Sequence, residues 1–243
     1  MPNNVDTLFL IERVCWWFHI VGVFSFSIYV LYSKHFHIFI AFPNTFYSRL
    51  QPSGEIGNLE AVKKEVELMM DPSADPYAAP PADAPTPQRF GAKDVEDLSW
   101  KQLMDAYSCT ECGRCTSECP ANQTGKLLSP RKIMMDTRDR LEEVGQLRRK
   151  EGLEANDERS LLGDFIIKEE LWACTTCNAC VEACPVNINP LSIIVDLRRF
   201  LVMEESAAPL ELNTMFTNVE NNGAPWQFAQ ADRGNWTDEL NEK

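Results

Sequence analysis

Basic charge is scarce in this chain, and unevenly so. Its 243 residues carry 23 Lys and Arg against 36 Asp and Glu, for a net charge of −13. Residues 1–50 hold two acidic and three basic residues (+1), so the remaining 193 carry −14. A nucleic-acid partner needs a basic footprint for its phosphates, so that class is excluded. The chain has no Cys-Cys dipeptide, no Gly-x-Gly-x-x-Gly and no recognisable catalytic triad. Their absence removes a Rossmann nucleotide site and leaves a thiol, disulfide or hydroxy-acid reductase without a substrate site in this sequence. No run of useful length alternates apolar with polar residues, so the fold class expected is all-α. Near the N-terminus, Asp6 and Glu12 replace the basic stretch of a signal peptide, and no small-x-small cleavage site follows.

Cysteine is present in two copies of one phrase. Cys109, Cys112, Cys115, Cys119 and Pro120 repeat as Cys174, Cys177, Cys180, Cys184 and Pro185, each spaced C-x2-C-x2-C-x3-C-P. This is the ligand run of paired [4Fe–4S] clusters, in which the fourth cysteine of each run serves the other cluster. Cluster one would take Cys109, Cys112, Cys115 and Cys184, and cluster two Cys119, Cys174, Cys177 and Cys180. A zinc-stabilised scaffold is the competitor, because C-x2-C pairs also make sites of four thiolates. Zinc leaves the third cysteine and the repeated proline unexplained. Disulfides fit worse, since such regular close spacing suits ligation in a reducing compartment. Of nine cysteines only Cys15 is spare, and its apolar neighbours suit it to packing.

From Val14 to Ser33 run 20 residues without a formal charge, enough to span a bilayer. Apolar residues continue past Lys34, and the first breaker is Pro43, which predicts one helix from about Ile11 to Phe42. A buried helix of a soluble core is the plainer reading of the same run. Leu59, Val62, Val66 and Met69 predict a short amphipathic helix. Asp71 to Pro87 hold six of the fifteen prolines, an extended linker. Further helices are expected over Leu98–Ala106, Pro130–Gln146, Leu161–Trp172 and Pro190–Glu204, with Ser129-Pro130 and Asn189-Pro190 as start signals. The segment 147–160 reads as a charged, solvated helix end and loop. The expected organisation is a transmembrane helix (1–43), a juxtamembrane segment and linker (44–97), a dicluster ferredoxin domain (98–205) and an acidic tail (206–243). The tail lacks clear periodicity, yet its aromatics Phe216, Trp226, Phe228 and Trp236 suit a segment lying along a partner.

Histidine occurs three times. His19 and His37 are 18 residues apart, which on one helix is five turns, so they would share a face about 27 Å apart. Such a pair could ligate two haems b stacked across a bilayer, and ionisable groups at membrane depth are functional by default. Equally, His37 could be interfacial and His19 a lone polar group bonded to a carbonyl, with His35 on the opposite face. Any haem would be shared with another subunit, or with a membrane segment missing from this N-terminus.

With these residues read, the chain resembles a membrane-bound heterodisulfide reductase-like iron–sulfur subunit. SCTECGRCTSECP and ACTTCNACVEACP are similar to the α-helical ferredoxin shared by the C-type iron–sulfur subunits of heterodisulfide reductase and glycerol-3-phosphate dehydrogenase and by the iron–sulfur subunit of succinate dehydrogenase. WWFHIVGVFSFSIYVLYSKHFHIF is similar to the last helix of nitrate-reductase γ-type cytochromes b, where two histidines ligate different haems, as His19 and His37 would. The resemblance implies an electron-transfer subunit between a quinone or cytochrome b pool and a soluble redox partner, one with a cysteine-rich CCG or flavin domain. It departs from the family in lacking the preceding helices and any CCG motif. Cluster assembly in the cytosol would put the iron–sulfur domain on the cytoplasmic face of the inner membrane. A tethered dicluster ferredoxin without haem, and a catalytic oxidoreductase, are the rival readings.

Overall fold

The computed structural model of the chain describes residues 4–52, 54–71 and 89–241, all of them helical or irregular, with one isolated bridge from Leu162 to Ile166. The chain is all-α, as its lack of alternation implies. All of the proline-rich linker beyond Asp71 lies outside the described residues.

Helix α1 spans Val5–Leu31, 27 residues or about 40 Å. Asn4 caps it by accepting the Asp6 N–H. Phe18, Phe24, Phe26 and Ile28 point out of it on several sides, 60–80% exposed. A helix apolar all round and unburied by its own chain is suited to lipid or to neighbouring helices, and α1 is long and apolar enough to cross a membrane.

The expected single helix to Phe42 is not formed. α1 stops at Leu31, Ser33 is extended, and its Oγ accepts the His35 N–H to start a 3₁₀ turn at Lys34–Phe36. Helix α2 then runs His37–Phe46. A serine hydroxyl competes well with the helical ladder at such a polar junction, and Ser33-Lys34-His35 is the first polar stretch after the span. Pro43, expected as the breaker, lies inside α2. Tertiary contact overrides it there, because the next residue, Asn44, is wholly buried.

Helix α3 is Glu60–Met70, as its spacing predicts, followed by α4 (Trp100–Ser108), α5 (Arg114–Ser117) and α6 (Pro120–Gln123). Then come α7 (Pro130–Glu151), α8 (Lys168–Trp172), α9 (Ala179–Glu182) and α10 (Pro190–Met203). The C-terminal segment adds α11 (Leu210–Asn222) and α12 (Asp238–Asn241). Ser129 and Asn189 cap α7 and α10, accepting the Lys132 and Ser192 N–H groups, with Pro130 and Pro190 in first position. Helices α4, α7 and α10 pack mutually around Ala106, Ile133, Met134, Ile193, Ile194 and Leu197, all fully buried. The chain enters this core at Gly91, whose φ is +83°, and where any Cβ would stand 2.3 Å from the Asp196 carbonyl oxygen. Ala92 N–H donates to that same oxygen at 3.0 Å.

Two expectations fail for local reasons. The helix expected over Leu161–Trp172 is regular only in α8, because Gly163 turns left-handed (φ 102°) and Ile166 N–H closes back on the Leu161 carbonyl. The tail expected to lack periodic structure contains α11, bracketed by Pro209 before it and left-handed Gly223 after it. The segment 147–160 is also more than a solvated loop. It supplies Asp157 and the Arg159 carbonyl to Arg140, whose side chain is 1% exposed and which also holds Asp94 at 2.7 Å. Arg140 keeps the Asp157 carboxyl below the usual carboxylate range, chiefly by hydrogen bonding. That contribution is present above the unfolded carboxylate value and fades as pH falls through the depressed one.

Arg140→Met should leave two carboxylates facing a buried apolar side chain and cost about 3–5 kcal/mol at neutral pH. Denaturation followed by circular dichroism would show it. The deficit should shrink as pH falls through the depressed Asp157 value.

Candidate metal centre

The two cysteine phrases adopt one conformation twice. In each, the residue before the second cysteine and the residue after it are left-handed: Glu111 (φ 60°) and Gly113 (83°) in the first, Thr176 (58°) and Asn178 (62°) in the second. Consecutive turns of this hand aim backbone N–H groups into a concavity, the usual cradle for an anionic group. Thr176 N–H donates to Cys174 Sγ, and Ile188 N–H to Cys184 Sγ, each at 3.4 Å. The short helices α5 and α9, each carrying the third cysteine of its phrase, pack against one another. The repeat is thereby folded into a face-to-face pair.

Each fourth cysteine leaves its own phrase. Cys119, at the start of α6, lines a small enclosed space with Cys174, Cys177 and Cys180, walled by Leu128, Leu191 and Ile194. Electrostatic coupling links Cys174 to Cys119 and Cys177, and Cys109 and Cys115 each to Cys184. Cys115 also couples to Cys112, and a Cys180–Cys115 coupling crosses between the sets. Burial raises the Cys109, Cys115 and Cys174 thiols and pushes Cys180 up to about 12. Bare thiols here would stay protonated, so a set of thiolates in these positions requires a cationic group to take their charge.

Among the described residues no three His, Cys, Asp or Glu groups close on a single ion. A tetrahedral zinc site needs thiolate sulfurs about 3.8 Å apart, from a Zn–S bond of about 2.3 Å. A cubane puts each thiolate on its own iron, and four cysteines lining one apolar space suit it.

Several neighbours of the thiols carry charge that the cysteine spacing does not reveal. Glu111, inside the first loop, accepts from Arg138 at 2.7 Å and from Lys34 at 2.9 Å. These two cations hold its carboxyl below the usual range. Lys34 belongs to the turn that follows α1, so the first loop is tied to the end of the apolar helix. Nearby, buried Asn44 donates to the Val186 carbonyl at 2.9 Å and accepts from Lys101, which pairs with buried Asp105 at 2.6 Å. Tyr47 and Trp100 stack edge to face at 5.1 Å. The only sequence signal for Glu111 was a charge within the ligand run, and for Asn44 a polar residue after an apolar stretch.

The histidines are not brought together on one helix. His19 faces outward from α1, whereas His37 begins α2 beyond the turn, with its Nδ1 2.5 Å from the Lys34 carbonyl. The five-turn spacing that paired them therefore has no continuous helix beneath it. Cys15 is exposed on α1 and takes no part in the thiol sets.

Residues 108–188 match the family of 4Fe-4S dicluster domains. This part of the chain is therefore similar to iron–sulfur proteins of the ferredoxin type, and iron–sulfur clusters are the cofactors that its cysteine phrases fit. Over 95% of its length the chain is 32% identical to a probable iron-sulfur-binding oxidoreductase, FadF, of Bacillus subtilis, covering 34% of that protein. It is 33% identical, over 97% of its length and 32% of the relative's, to the EtfAB:quinone oxidoreductase of Syntrophomonas wolfei. A probable membrane-anchored ferredoxin of Chromohalobacter salexigens is 34% identical over 65% of this chain and 25% of its own length. Heterodisulfide reductase subunits of the C and D types, from Methanosarcina species, match at 30–34% identity, as the resemblance implied. The chain spans about a third of the length of the first two relatives.

Proposed function

We propose that the chain is a membrane-anchored electron relay, passing electrons between a quinone or cytochrome b pool and a soluble redox partner through two [4Fe–4S] clusters. In this reading Cys109, Cys112, Cys115 and Cys184 hold the first cluster, and Cys119, Cys174, Cys177 and Cys180 the second. The clusters supply the one-electron chemistry when bound. The protein fixes their positions, shields them with apolar side chains and sets their potentials through nearby charge. The observation that carries the proposal is the ion pair between Lys34, at the end of α1, and Glu111, inside the first cysteine loop. It joins a cluster loop to the helix long enough to cross the membrane, so that cluster would lie at the membrane face. The names of the S. wolfei and C. salexigens relatives agree with a quinone on one side and a membrane anchor.

The iron–sulfur domain would face the cytoplasm. Lys34 and Arg49 follow the span, whereas only Arg13 lies toward its other end, which is the bias that keeps a flank inside. The soluble partner would carry a flavin or a cysteine-rich CCG domain, because no substrate chemistry has been located in this chain. A haem b, completed by another subunit, is a second reading, favoured by the outward imidazole of His19 among apolar residues. A b-type α-band copurifying with the wild type and lost in His19→Ala would establish it.

The pairing of ligands has a direct test. In Cys119→Ser, electron paramagnetic resonance should show the second cluster lost or altered and the first intact, and Cys184→Ser should do the reverse. Loss of the first cluster in Cys119→Ser would refute the pairing. For the relay itself, full chain in native membranes should have its clusters reduced by added quinol or oxidised by quinone within the mixing time of a rapid-freeze experiment. Clusters that respond only to a soluble donor would sink the membrane connection and leave a tethered ferredoxin.

A further inference from the structure

We propose that Arg198 is the residue that raises the potential of the second cluster, so that the first electron entering the pair comes to rest on the cluster held by Cys174. The inference rests on the two-cluster reading and adds to it an order of potentials between the two sites.

Arg198 lies on α10, in the sequence Leu197-Arg198-Arg199-Phe200, and turns toward the second cysteine phrase. Its Nε donates to the Leu171 carbonyl at 3.0 Å, one terminal nitrogen donates to the same oxygen, and that nitrogen also donates to the Cys174 carbonyl at 2.6 Å. The guanidinium lies over the Trp172 ring, 4.9 Å from its centre. Those contacts hold the planar head in one place beside the backbone of a ligand cysteine. All of them are neutral. Among the described residues no salt bridge to a carboxylate is formed by this arginine.

The first phrase is arranged differently. Arg138 is also close to a ligand cysteine, but it is paired with Glu111 at 2.7 Å and with Asp139 at 3.5 Å. Lys34 spends its charge on the same Glu111. Arg114 and Arg131, also near this loop, are exposed, where water screens them. The two loops share one backbone conformation, and the fixed charge around them is a difference between the sites.

Reducing a cluster adds one negative charge and breaks no bond. An uncompensated, half-buried cation beside one ligand stabilises the reduced form of that cluster over its oxidised form. A cation already neutralised by a carboxylate does so far less. The chemistry at Arg198 thus favours the electron on the second cluster, away from the Lys34 end of the chain. Electrons entering from the membrane side would run downhill to the second cluster and leave from there.

The full chain, purified in detergent, should be titrated potentiometrically with both clusters followed by electron paramagnetic resonance. The second cluster's signal is the one that disappears in Cys119→Ser. In the wild type the first electron should appear on the second cluster, and its appearance on the first would overturn the proposal without any variant. Arg198→Gln keeps amide donors for the carbonyls but not the charge. It should lower the second cluster's hold on the electron at least tenfold, which is about 59 mV for a one-electron couple, and leave the first unmoved. Arg198→Lys should keep most of the wild-type value. If Arg198→Lys falls as far as Arg198→Gln, or if neither moves, the charge is not what sets the potential. A wild-type protein without iron would instead refute the two-cluster reading. Normal potentials in a protein that no quinone reaches would refute only the membrane connection.

Discussion

Charge in an apolar interior is the constraint around which this molecule is arranged. Cys119, Cys174, Cys177 and Cys180 line a space walled by Leu128, Leu191 and Ile194, where an ionised thiol without a partner is strongly disfavoured. Iron resolves the conflict by taking the thiolate charge, and the left-handed residues at matching places in both loops turn N–H groups inward to share it. The same logic explains why the core helices α4, α7 and α10 are ordinary amphipathic helices with good caps. They form a preshaped wall whose apolar side chains exclude water from the cluster spaces, while the loops supply the ligands. Binding of the clusters and folding of the loops are therefore one event, as for other metal sites built from flexible ligands.

How much of this was legible in the sequence depends on whether a feature is local. The repeated cysteine spacing, the Ser-Pro and Asn-Pro starts of α7 and α10, and the absence of alternation are local signals, and each appears in the structure. The break after Leu31 is local as well, but it competes with a long apolar pattern, and a serine hydroxyl accepting the His35 N–H wins there. Pro43 misled in the other direction. Proline is costly inside a helix, yet α2 accepts it because Asn44, one residue on, is locked between the Val186 carbonyl and Lys101. No sequence window of helical length contains those partners, which lie 57 and 142 positions away. Gly163 and Gly223 show that a single left-handed residue can end or begin an element that periodicity alone misplaces.

The cysteine phrases could be read in the sequence, and the charges around them could not. Cysteine spacing points to ligands because the geometry of a cubane would impose it. Nothing comparable names Glu111, Arg138 or Arg198, since a charge can act on a cluster from any element that passes near it. Arg198 hides in an apolar helix and reaches a carbonyl 24 residues earlier. Such residues decide potentials, so the direction of electron flow is the part of function that requires coordinates.

Attachment to the membrane poses a last electrostatic problem. The chain beyond residue 50 carries −14, and the cytoplasmic surface of a bilayer is itself negative, so the iron–sulfur domain would be repelled from the surface it is proposed to serve. A flexible tether alone would let the domain stand off, beyond useful electron-transfer distance. The junction counters this with short-range contacts that salt screens poorly: buried Asn44 with Val186 and Lys101, the Lys101–Asp105 pair, and the Tyr47–Trp100 stack. Lys34 adds a cation at the point where Glu111 would otherwise face the headgroups. The break in the long helix has a use in this arrangement. By ending α1 at Leu31, it lets α2 lie against α4, which in the proposed arrangement would convert a tether into a bracket holding the first cysteine loop at the membrane end of the domain.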